Sequence, residues 1–253
     1  MYLIFPIIFL AVAWLYAMVG FGGGSTYIAL LAISGLPLTA VPVLALICNL
    51  VVSSQGSALL VKRGYAEWSI LAPLLLGSIP CAFLGGAWRL PEEAFTLILA
   101  IALSLAGLAM LIQGSINSVS LDSPRRPRIW ILLGTGVILG SLAGITGIGG
   151  GIYLAPVMHL MCWARPQVIA ACTSLFIALN SLSGLLGQFA KDSSPLEQIP
   201  TVLLVACPLA VLVGGRVGSS LLSSRLPSGR VRLLTAIVII LVSFRLWLSV
   251  LVG

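Results

Sequence analysis

The chain has 253 residues, 60% of them hydrophobic and only 8% charged, with a mean hydropathy of +1.18. A soluble domain carries about 25% charged residues, so this composition excludes an ordinary water-facing surface and points to a membrane protein. The formal net charge of +7 would suggest nucleic acid as a partner in a soluble protein; here the basic residues sit in short connections, where they record membrane orientation, and no nucleic-acid partner is expected.

The first apolar run, residues 2–19, has the length of a signal peptide but lacks a basic leader and runs straight into Gly20-Phe21-Gly22-Gly23-Gly24. It is therefore read as part of the mature fold. A short apolar piece follows at 24–34, then three longer runs near 38–60, 67–88 and 92–111. A membrane-crossing helix needs about 20 such residues. Gln113 to Arg128 is the longest polar stretch and leaves no room for a domain outside the membrane. Its segment Asp122-Ser123-Pro124-Arg125-Arg126-Pro127-Arg128 suits a connection in water, because proline and charge both oppose a helix in lipid. Beyond it come a segment broken into 129–146 and 150–162, then runs at 166–188, 198–222 and 229–252. The alternation of a membrane barrel is absent from these runs, so an all-α polytopic membrane protein is expected.

The two halves repeat each other. Gly20-Phe21-Gly22-Gly23-Gly24 returns 127 positions later as Gly147-Ile148-Gly149-Gly150-Gly151. Asn49 is matched by Asn180 and Gly56 by Gly187 at a spacing of 131, and Gly85-Gly86 by Gly214-Gly215 at a spacing of 129. The expected organisation is a first membrane repeat over residues 1–112, a cytoplasmic polar linker over 113–128 and a second repeat over 129–253. Each repeat has four segments, the first broken by glycines.

Basic residues decide how the broken segments lie, because cytoplasmic loops collect them. If every segment crosses once, the two sides receive six basic residues each. If each broken segment is a re-entrant hairpin, one side receives Lys62, Arg63, Arg125, Arg126, Arg128, Arg165, Arg216, Arg225, Arg230 and Arg232, and only Arg89 and Lys191 lie opposite. The asymmetry favours hairpins, six full crossings, repeats in inverted orientation and both termini outside the cytoplasm. Against it, residues 2–19 are long enough to span alone.

Non-helical backbone at membrane depth is tolerated only where protein or a water-filled cavity surrounds it. Short helices that begin at such breaks present unpaired N–H groups and the positive ends of their dipoles. Two of them converging near the midplane make an anion site without lysine or arginine. The candidate substrate-binding residues are Gly22, Gly23, Gly24, Ser25 and Thr26 in the first repeat, and Thr146, Gly149, Gly150 and Gly151 in the second. The competing reading is that the glycines only permit close helix packing. Asn49 and Asn180 lie mid-run, where an amide facing lipid is costly, so both are expected to face the protein interior. They either bind substrate oxygens or cross-link helices. Ser53 lies one turn beyond Asn49, and Thr173 and Ser174 lie about two turns before Asn180, which makes that helix face polar.

The remaining polar residues add less. His159, the single histidine, is read either as a proton carrier or as a satisfied interior side chain. Arg216 either draws anions inward or snorkels to the interface. No Asp or Glu lies deep in an apolar run, which weakens any carboxylate relay or cation site. The five cysteines show no C-x-x-C spacing and are expected to be free thiols. No metal and no cofactor is expected.

At Gly147-Ile148-Gly149-Gly150-Gly151, followed by Ala155-Pro156 and then Ala171-Cys172-Thr173-Ser174 leading to Asn180-Ser181, the sequence resembles the TauE/SafE family of bacterial sulfite and organosulfonate transporters. The likeness covers nearly the whole chain. The first repeat departs from it, with Phe21 inside the glycine motif, Ile28-Ala29 opposite Ala155-Pro156, and Pro42-Val43-Leu44 in place of a Thr-Ser pair. The resemblance implies transport of a sulfur-containing anion across the bacterial inner membrane, in agreement with the site built from helix termini. The leading expectation is a secondary transporter that rocks one repeat against the other, with the lipid bilayer and a small anion as partners and a homodimer as one candidate assembly. The alternatives are a non-transporting assembly or sensor subunit and an intramembrane enzyme. The second lacks a plausible set of nucleophile, base or metal ligands.

Overall fold

In the computed structural model the described residues are 4–18, 20–88, 90–115, 126–191 and 196–220, together with 237, 240, 243–244 and 246–248. Among them the regular structure is helical throughout. The first broken segment is α1 (Ile4–Ala17) and α2 (Gly24–Ala32), and three long helices follow: α3 (Ala40–Lys62), α4 (Trp68–Ala87) and α5 (Glu92–Ser115). The second is α6 (Ile129–Thr146) and α7 (Gly151–Leu160), followed by α8 (Pro166–Lys191) and α9 (Thr201–Ser220). The run expected at 229–252 falls mostly outside the described residues, and those described within it are helical. Helix α5 continues to Ser115, into the stretch expected to be a linker, whose residues 116–125 lie outside the described residues.

Among the described residues five helices, α3, α4, α6, α8 and α9, are long and apolar enough to cross a membrane. Helix α1 is not. Its 14 residues rise about 21 Å at 1.5 Å each, against a hydrocarbon core of about 30 Å. Burial separates centre from rim: the apolar windows of α8 and α3 are 67% and 61% buried, and those of α6 and α9 only 39% and 33%. Exposed Ile7, Trp14, Leu76, Trp130, Ile138, Leu209 and Val213 form the apolar outer face such a protein turns to lipid.

Glycine sets how closely the helices approach, because lipid tails supply no hydrophobic drive and packing must come from close contact. On α6, a Cβ at Gly136, Gly140 or Gly144 would strike the carbonyl oxygens of Leu74, Ser78 and Ala82 on α4. The paired positions rise together, so α4 and α6 run in the same direction. Gly214 and Gly218 on α9 meet the carbonyls of Leu10 and Trp14 in the same sense, so α1 and α9 are also parallel. Ser183 donates to the Ile79 carbonyl at 2.6 Å, and Gly187 sits on the Phe83 carbonyl, which makes α4 and α8 parallel as well. Helices α3 and α8 are antiparallel: Ser174 donates to the Ser53 carbonyl at 3.2 Å, while Gly184 lies beside Leu46.

Candidate functional site

Both helix breaks are built from left-handed glycines. Gly20 and Gly23 have φ of 79° and 91°, and Gly147, Gly149 and Gly150 have 74°, 81° and 76°. An L side chain costs about 1–2 kcal/mol in that region, which accounts for glycine at these positions without reference to packing. Gly23 caps the start of α2 and Gly150 the start of α7. Neither cap side chain exists to bond the first turn, so the helix N-termini stay open. The first amides to bond back are those of Thr26 and Tyr27, both to the Gly23 carbonyl at 3.0 Å, and those of Tyr153 and Leu154, both to Gly150 at 3.2 Å.

The two breaks meet. The Asn49 amide Nδ2, from the middle of α3, donates to the Ile148 carbonyl in the second break at 2.7 Å. A Cβ on Gly22 would strike the Asn49 Oδ1, and one on Gly24 would strike both the Asn49 Nδ2 and the Ile148 carbonyl. Gly149 has Asn49 and Ser181 as its nearest neighbours, and Gly151 has Ile177 and Thr173. One fully buried asparagine therefore touches both glycine motifs, and Ile177 of α8 touches both from the other side. A cavity of about 10 Å³ lies between them, lined by Gly22, Gly24, Ser25, Asn49, Ile148 and Ile177 among others. It has room for about one water.

The other candidates are placed around this point. Thr26 shares a 2.7 Å hydrogen bond with Tyr16, joining α2 to α1. Thr146 donates to the Leu142 carbonyl at 2.6 Å and accepts from the Ile148 amide at 3.4 Å. Ser174 is spent on the α3–α8 contact, whereas the Thr173 hydroxyl is buried without a partner. Asn180 donates to Phe176, one turn back in its own helix, at 2.8 Å, and is not among the nearest neighbours of any break glycine. The two asparagines matched in sequence are thus unequal in space. Ile177 and Ser181, which approach Gly149 in its place, carry no chemical signature, although Ser181 sits next to Asn180 on the polar stretch of α8. The Oδ1 atoms of Asn49 and Asn180 and the hydroxyls of Ser181 and Tyr27 are also buried without partners.

A larger cavity, about 170 Å³, opens where α3 begins and α8 ends, lined by Thr39, Pro42, Trp88, Ile145, Gln188 and Lys191 among others. Pro42, in the wall of this cavity, is pressed against Gly147 at the start of the second break. All five cysteines are free. Among the described residues no cluster of His, Cys, Asp or Glu is arranged to hold a metal.

Long apolar helices around two glycine-broken segments, with polar side chains gathered where the breaks meet, define a multi-pass membrane protein with an interior polar site. Residues 4–246 match the family described as "Sulfite exporter TauE/SafE", and the chain belongs to that family of membrane transporters. It is 31% identical over 241 residues to "Probable membrane transporter protein y4hK" of Sinorhizobium fredii (strain NBRC 101917 / NGR234), covering 95% of this chain and 96% of the relative. No solved structure matches the chain.

Proposed function

We propose that the protein is a secondary transporter of a small anion, with sulfite or an organosulfonate as its substrate, working by alternating access around the point where the two breaks meet. The observation that carries this reading is Asn49, which lies against Gly22 and Gly24 of one break while donating to Ile148 of the other. The open N-termini of α2 and α7 bring partial positive charge to that point. The described basic residues lie at or near helix ends. In this reading the substrate contacts are Gly22 to Thr26, Asn49, Thr146, Gly149 to Gly151 and Thr173, while Ser174 and Asn180, bonded to Ser53 and Phe176, support the site from α8. The family's description supplies the sulfur anion.

The broken segments are re-entrant hairpins, and the repeats, residues 1–112 and 129–253, are inverted. Helix directions support this. Helix α6 runs parallel to α8, since each is parallel to α4. The chain must therefore return between them, and α7 is the only helix there to carry it. The break retraces α6 as well: Gly147 is at Pro42, whereas Gly150 is back beside Leu139 and Ala143. With these directions Lys62, Arg63, Arg126, Arg128, Arg165 and Arg216 fall on one side and Lys191 on the other. By the distribution of basic charge, the first side is cytoplasmic and both termini lie outside, in a bacterial inner membrane.

The test is uptake of radiolabelled sulfite into proteoliposomes, with sulfoacetate, thiosulfate, sulfate and chloride as competitors. Saturable uptake blocked by a sulfur anion is expected. Uptake no faster than in protein-free liposomes, from protein shown to be folded, would remove the sulfur-anion reading.

A further inference from the structure

We infer that the cavity at Asn49 selects anions that also carry a hydrogen on oxygen or nitrogen. This rests on the small-anion reading and narrows its substrate class. Asn49 is fully buried, and its amide orientation is set by its neighbour. With Nδ2 donating to the Ile148 carbonyl at 2.7 Å, exchanging the two amide ends would bring two oxygens together with no hydrogen between them. Oδ1 must therefore face Gly22, whose backbone lines the cavity together with Asn49, and it is buried there without a partner.

An amide oxygen is an acceptor only, and it cannot be answered by the lone pairs of a fully deprotonated oxyanion. The start of α2 supplies the opposite chemistry. The Gly24 and Ser25 amides precede the first bonds of the helix ladder, which are made by Thr26 and Tyr27. Donors for a charged oxygen thus stand beside one fixed acceptor. The cavity, about 10 Å³, admits one water-sized group, the size of a hydroxyl or an amino group. A water there donates to Asn49 equally well, so a ligand that displaces it must bring its own donor or lose that bond. The class so defined is a monoanion with an O–H or N–H group. Hydrogensulfite belongs to it, whereas the sulfite dianion and sulfonates without such a group do not.

Sulfamate and methanesulfonate separate the terms. Each is a monoanion with one sulfur and three oxygens, and they differ only in an amino or a methyl group. Thermal stabilisation of the purified full-length protein in detergent is measured against each, with chloride holding the ionic strength constant. Sulfamate is expected to stabilise at about tenfold lower concentration or better, since a site built around a hydrogen bond rejects the analogue lacking it. Equal effects, or a stronger effect of methanesulfonate, would overturn this inference and leave the anion site standing. No effect of either would remove both. A folded Asn49→Leu protein should treat the two alike; retention of the preference would move the selecting acceptor away from Asn49 and overturn the assignment.

Discussion

At Asn49 a single amide serves both halves of the chain, bonding to Ile148 across 99 positions of sequence while its oxygen faces Gly22. Asn49→Leu leaves the Ile148 carbonyl buried and unpaired, a loss of about 1–3 kcal/mol. A lower melting temperature in detergent is expected, with sulfite uptake reduced about tenfold or more. Asn180→Leu removes a bond within one helix turn and should cost less on both measures; equal losses would contradict the unequal placement of the pair. The glycines divide in the same way. Gly23→Ala and Gly150→Ala each incur about 1–2 kcal/mol of left-handed strain and crowd the rings of Tyr27 and Phe176. Gly134 is helical, exposed and has open space at its Cβ, so Gly134→Ala should be neutral or stabilising by about 0.5–1 kcal/mol. Thermal melts of the three variants check the contrast. The burial of Asn49 was legible in the sequence, because an amide in the middle of an apolar run needs a partner inside the protein. The weaker placement of Asn180 was not. Identical residues at matched positions are rotated differently by packing, and Ile177 and Ser181 fill the space beside Gly149.

At the scale of helices, the two broken segments and the long runs that fall within the described residues lie within a few residues of their expected places, since glycine clusters and apolar run lengths mark them directly. The pairing of helices was hidden. Nothing in the spacing of Gly136, Gly140 and Gly144 says that they meet the carbonyls of Leu74, Ser78 and Ala82, although small residues one turn apart are the usual sign of some close partner. Gly140→Leu places a branched side chain against the Ser78 backbone. Overpacking of this kind costs about 1–3 kcal/mol or more, so the variant should melt early or fail to accumulate, whereas Gly134→Leu on the exposed face should not. The hairpin reading also has a direct check. Arg128 before α6 and Arg165 before α8 are both exposed. In a background without native cysteines, Arg128→Cys and Arg165→Cys should react with an impermeant thiol reagent from the same side of oriented vesicles. Labelling from opposite sides would mean that the α6–α7 segment crosses.

Across the whole molecule, α4 packs on α6 as α1 packs on α9, and α4 on α8 as α3 on α9. Exchanging the repeats returns the same pairs. This is the relation expected of two halves related by a two-fold exchange, with α3 packed on α8 and the glycine breaks brought together beside them. Such an arrangement suits a site that each half closes in turn. The larger cavity by Lys191 shares Pro42 with the contact at Gly147, where the second break begins. In the sequence, three matched pairs of motifs suggest the duplication, and the positions of arginine and lysine suggest an orientation. Substrate identity is not legible in the sequence, because the backbone amides at a helix start carry no residue signature beyond glycine.

Counterflow of labelled sulfite distinguishes a carrier from a pore. Proteoliposomes loaded with unlabelled sulfite are diluted into a trace of the labelled anion, and internal label is followed with time. A single site that faces each side in turn predicts a transient accumulation of label above the external concentration, abolished by Asn49→Leu. Simple equilibration without overshoot would indicate a passive pore. No uptake beyond that of protein-free liposomes would contradict sulfite transport through the point where the two breaks meet.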